Sequence, residues 1–84
     1  MESNEASALV LQALVWTLQD DRRAQRLLAL TGLEADTLRA HLHEVSTQRA
    51  VIDFLEGHEA DLIACAAALD VSPLKLLGAK EALR

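Results

Sequence analysis

Residues 8–18 read Ala8-Leu9-Val10-Leu11-Gln12-Ala13-Leu14-Val15-Trp16-Thr17-Leu18. Leu11, Leu14, Val15 and Leu18 recur at the spacing of one helix face. Leu9, Val10, Ala13 and Trp16 widen that face almost all the way round. The run is too short to span a bilayer, which takes about 20 residues, and Gln12 and Thr17 interrupt it. It reads as a helix over 4–18, capped by Ser3 or Asn4. A helix apolar on every side is either central in its domain or shared with a partner. In a small domain no helix is easily surrounded. The pattern therefore predicts an apolar surface left for a second copy or another protein, with Leu9, Val10 and Trp16 as contact residues.

Five further helices follow from the same reasoning. Asp20 is a good cap for a second helix, and the acids Asp20 and Asp21 suit the positive end of its dipole. Leu27, Leu28 and Leu30 are expected inside, with Arg22, Arg23 and Arg26 outside. Gly32 then ends the helix, as a residue able to take a positive φ. A third helix is expected over 35–43 on Leu38 and Leu42. A fourth begins at Ser46 or Thr47, carries Val51, Ile52, Phe54 and Leu55, and closes at Gly57. A fifth holds Leu62, Ile63, Cys65, Ala66, Ala67 and Leu69, its alanines permitting close helix approach. Ser72-Pro73 opens the sixth, since Ser caps and Pro fits the first helical position. Leu74, Leu76, Leu77 and Leu83 supply its apolar contacts. Gly78 in its middle reads as the mark of a close crossing.

Composition agrees. The 84 residues are 51% hydrophobic, mostly Ala and Leu, and only 2% aromatic. Ala and Leu favour helices, whereas strands need Val, Ile, Thr and aromatics. The expected fold is all-α, a compact bundle of five to six short helices forming one domain over 1–84. A net charge of −5 argues against general attraction to nucleic acid or anionic membranes. The single cysteine precludes an internal disulfide framework and fits a reducing cytoplasm. Glu2 and Glu5 stand where a signal peptide would be basic, so none is expected.

Chemistry-bearing patterns are few. There is no Gly-rich phosphate loop, no Cys-x-x-Cys and no His-Glu-x-x-His. Cys65 lies in an alanine-rich apolar segment, where burial raises a thiol's pKa and makes it inert. His41 and His43, two apart, point to different helix faces and could share an ion only across a break. His58, Glu59 and Asp61 could add ligands, but the two acids are already explained by a helix dipole. Neither an enzyme nor a cofactor is expected. Arg22, Arg23 and Arg26, with Arg39, form the best candidate charged contact surface. Interleaved acids (Asp20, Asp21, Glu34, Asp36) also allow a salt-bridged exterior.

The segment 66–83 has the outline of a helix-turn-helix. Ala66 stands four before a turn position at Asp70, Val71 and Leu76 sit where the second helix would pack, and Ser72 caps it. The second helix offers only Lys75, Lys80 and Glu81 among leucines and alanines, whereas base edges are read by polar side chains near its start. DNA binding is thus the alternative to a protein-interaction or homodimerising role.

Leu27-Leu28-Ala29-Leu30-Thr31-Gly32-Leu33, then Leu38-Arg39, Phe54-Leu55, Glu59, Asp61-Leu62 and Ser72-Pro73, resemble a family of small bacterial proteins, mainly alphaproteobacterial, known only as a domain of unknown function. The resemblance covers nearly the whole chain, and Thr31-Gly32-Leu33 is its most specific part. Glu34 stands where an Asp-like cap would be expected. The resemblance implies a compact helical fold and brings no activity, cofactor or catalytic residue.

Overall fold

The computed structural model describes residues 1–84 as six helices with no strand: α1 (Ser3–Leu18), α2 (Asp21–Thr31), α3 (Ala35–Ala40), α4 (Val45–Glu56), α5 (Glu59–Ala68) and α6 (Pro73–Ala82). The Cα radius of gyration is 11.5 Å. The all-α bundle is thus the observed architecture. The Asp20 carboxylate accepts from the Arg23 N–H at 3.0 Å, and Ser72 Oγ accepts from the Lys75 N–H at 3.0 Å. Gly32 takes φ +72° and donates its N–H to the Leu28 carbonyl, closing α2. α5 ends differently, with Asp70 at φ +57°. The Val71 N–H reaches back to Ala66 O at 3.0 Å and the Asp70 N–H to Ala67 O at 3.2 Å, so two last-turn carbonyls are satisfied.

Three boundaries differ from the sequence reading. α1 starts at Ser3 with Glu2 at its cap position and no side-chain cap bond, so Ser3 and Asn4 lie inside the first turn. α3 stops at Ala40 instead of running to 43. There the chain turns, with the His41 N–H on the Leu38 carbonyl at 3.2 Å and the Glu44 N–H on the His41 carbonyl at 3.1 Å, and the Leu42 carbonyl accepts from the side-chain amide of Gln48 at 2.9 Å. α4 begins at Val45, one residue early, again without a side-chain cap.

α1 packs against α2, α4, α5 and α6, and α4 also packs on α6. One core cluster unites Ala6, Val10 and Ala13 of α1, Leu27 of α2, Leu38 of α3, Phe54 and its neighbours on α4, Leu62 and Cys65 of α5, and Leu76 and Ala79 of α6. The domain encloses one side of α1, burying six of its 16 residues, Ala6, Leu9, Val10, Ala13, Leu14 and Thr17. The small side chains of Ala6 and Ala13 on that side let neighbouring helices come close. Gln48, almost wholly buried, also donates to Ser7 Oγ at 2.9 Å, tying α1 to α4 and leaving its amide satisfied.

Several apolar residues expected inside are not. Leu30, Ile63 and Leu74 are exposed, Leu74 to 81%. Each lies on the outer side of a helix whose inner side is already filled by Leu27, Leu62 or Leu76. Gly78 marks no close crossing, since a Cβ placed there would meet nothing within 4 Å. No single helix is long and apolar enough to cross a membrane. α5 and α6 reach that length and hydropathy only together, and they bend by 94° at their junction.

Candidate interaction surface

Enclosure of α1 leaves one strip of it bare. Leu9 and Val10, expected as contact residues, are buried in the chain's own core, Val10 completely. They are unavailable to a partner because α1 turns them toward the helices it packs on. The bare strip carries Val15, 58% exposed, and Leu18, 38% exposed. Beside it lies a groove of ≈ 470 Å³ between α1 and the end of α5, lined by Leu11, Val15, Trp16, Ala68 and Leu69 and rimmed by Gln12 and Gln19. Ala64, one turn before Ala68 on α5, is also exposed.

Trp16, the third predicted contact residue, does line this groove, partly buried. Arg23 of α2 holds it. The guanidinium carbon sits 3.7 Å from the indole centroid, and Nη2 donates to the Trp16 carbonyl at 2.6 Å. α1 has no basic residue in its last turn. Arg23 supplies from outside the cation that a helix C-terminus favours, and its stacking adds roughly 0.5–2 kcal/mol. The Arg23 Nε is buried without a partner in the chain.

The family model for a protein of unknown function (DUF3572) matches residues 3–84. The chain belongs to the DUF3572 family. No curated protein and no solved structure matches it.

In this DUF3572 chain the predicted basic patch does not stand free as one surface. Arg23 is spent on Trp16. Arg26 bonds Asp61 at 2.6 Å, tying α2 to α5, and Arg39 pairs with Asp36 at 3.4 Å. Arg22 is exposed and forms no ion pair, so it alone of the three is open to a partner's anion.

The remaining candidates are equally occupied. Cys65 is fully buried, and desolvation pushes its thiol up to about 11. A group so shielded is a poor nucleophile near neutral pH. His41 contacts Glu44 at 2.9 Å. The His58 ring stacks on Phe54, and its Nδ1 lies 2.8 Å from the Phe54 carbonyl. A carbonyl only accepts, so that nitrogen carries the proton. No three His, Cys, Asp or Glu side chains lie close enough together to hold a metal ion.

The 66–83 segment forms two helices bent by 94° across the turn at Asp70, within the range of helix-turn-helix motifs. Leu76 and Ala79 are buried, and the exposed start of α6 presents Pro73, Leu74 and Lys75.

The groove's second wall was missed from sequence. A usable signal existed. Residues 6–19 and 62–69 are the two longest stretches without Asp, Glu, Lys or Arg, and the fold sets both along this one groove.

Proposed function

We propose that this DUF3572 member is a non-enzymatic protein–protein interaction domain whose contact surface is the α1–α5 groove. The observation that carries the reading is the bare, charge-free strip of Val15 and Leu18 beside a groove walled by Leu11, Trp16 and Leu69. Leaving such a strip in water forgoes about 25 cal/mol for each Å² of apolar surface. A partner that covers it recovers that energy. The non-enzymatic part of the reading rests on the occupied state of the candidate groups: a buried thiol, separated histidines and ion-paired carboxylates. A single free thiol fits work in a reducing compartment, the cytoplasm.

The test compares tagged wild type with Val15→Glu, both shown to be folded by circular dichroism. Wild type is expected to capture proteins from its host that the variant loses. Identical capture by the two baits would refute the groove as the contact surface.

A second reading, DNA binding through α5–α6, is favoured by their 94° bend. It asks a single lysine near the start of α6 to work against a net charge of −5. Phosphate contacts make affinity fall steeply with salt. Absence of binding to mixed duplex DNA at low salt, followed by fluorescence anisotropy, removes this reading.

A further inference from the structure

We infer that the occupant of the groove is a second copy of this chain, packed about a two-fold axis beside Val15 so that α1 meets its copy. This rests on the groove being the contact surface. A two-fold contact sets each patch against itself. For a chain of net charge −5, a face bearing acids would then meet its own acids, and like charges facing each other cost several kcal/mol. The α1–α5 groove is where copies avoid this, because its walls come from the two longest uncharged stretches, residues 6–19 and 62–69.

The face can also pair with itself in hydrogen bonding. Val15, which lines the groove, and Leu18 are exposed on its α1 side, so the apolar strips of two copies can cover each other. Ala68 on the far wall carries no long side chain to hold a second α1 away. Gln12 and Gln19 on the rim each bear a donor and an acceptor, so an amide meeting its copy is satisfied in both senses.

Size sets the class of interface. A standard interface takes about 800 Å² from each partner, roughly a sixth of this chain's 5040 Å² surface. α1, 16 residues long, is ~24 Å in length. A face of two short helices lies at the small end of specific interfaces.

Sedimentation equilibrium of the full chain, from low micromolar to millimolar concentration, tests this. A species of twice the 9.1 kDa chain mass should grow with concentration, with the emission of the single tryptophan shifting to the blue in step. Val15→Glu should weaken it on the order of 100-fold or more. Leu74→Glu, at the most exposed large apolar residue and outside the groove, should leave it unchanged. A wild-type monomer at millimolar concentration overturns the inference, as does a dimer that survives Val15→Glu or is lost with Leu74→Glu. A monomeric wild type whose capture of host proteins still depends on Val15 defeats the second copy alone. Capture independent of Val15 defeats the underlying reading as well.

Discussion

Replacing Gly78 by Ala should stabilise the domain, and replacing Gly32 by Ala should destabilise it. Gly78 lies inside α6, and a Cβ there meets nothing within 4 Å. An interior helical Gly costs about 1 kcal/mol relative to Ala, and nothing in the folded chain offsets that cost. Gly32 has as much room for a Cβ, but its φ is +72°. An L-residue in that region costs about 1–2 kcal/mol. The smaller unfolded-state entropy of Ala returns about 0.4–1 kcal/mol, leaving a loss of about 1 kcal/mol. At ~2.1 cal/mol/K per residue, 84 residues give an unfolding entropy of ~0.18 kcal/mol/K, so 1 kcal/mol moves Tm by ~6 °C. Thermal melts followed by circular dichroism at low concentration should show the two alanine variants separating in opposite directions. A fall in Tm for Gly78→Ala would refute the reasoning, because it would mean that something packs against the bare backbone at Gly78.

Phe54 is fully buried at the centre of the core. Phe54→Ala should cost about 3–5 kcal/mol, comparable to the whole stability of a domain this size, so its far-UV spectrum at 37 °C should be largely that of an unfolded chain. Cys65 should react with Ellman's reagent at pH 8 only as fast as the domain unfolds, since burial pushes its thiol from 9.0 up to about 11. Because the folded state holds that proton more tightly, its contribution to stability is intact below pH 9. It is lost as pH rises from 9 through 11, a slope that Cys65→Ala should remove in denaturant titrations. Asp20 is held below its ordinary value of 3.8, chiefly by the backbone N–H of Arg23. Its contribution is therefore present above that value and lost as pH falls through and below it. Asp20→Ala should lower stability at pH 7, whereas Asp20→Asn should keep most of the cap and lose the acid dependence.

The elements were legible because their signals are local. The cap at Asp20 is satisfied by Arg23, that at Ser72 by Lys75, and the stop at Gly32 by Leu28. Each bond closes within four residues, so neighbouring sequence determines it. The misplaced end of α3 is the opposite case: no Gly or Pro marks it, and the turn that follows is held by Gln48 of α4, whose side-chain amide donates to the Leu42 carbonyl. The site was legible only in part for the same reason. Trp16, offered as a contact residue by the all-round apolar pattern of α1, lines the groove. Arg23 looked like a free surface cation, yet its role depends on reaching back across the α1–α2 turn to the Trp16 ring and carbonyl.

By itself the sequence determined an all-α fold, the caps at Asp20 and Ser72, the stop at Gly32 and an α1 too apolar to be an ordinary surface helix. Which side of α1 would stay bare was decided only by tertiary structure. Leu9, Val10, Val15 and Leu18 are nearly equivalent as residues. What separates them is where α4, α5 and α6, dozens of residues away, come to rest. Those helices cover Leu9 and Val10 and stop short of Val15 and Leu18. Hydrophobic burial is not directional, so an all-round apolar pattern carries no information about which of its faces the rest of the chain will cover.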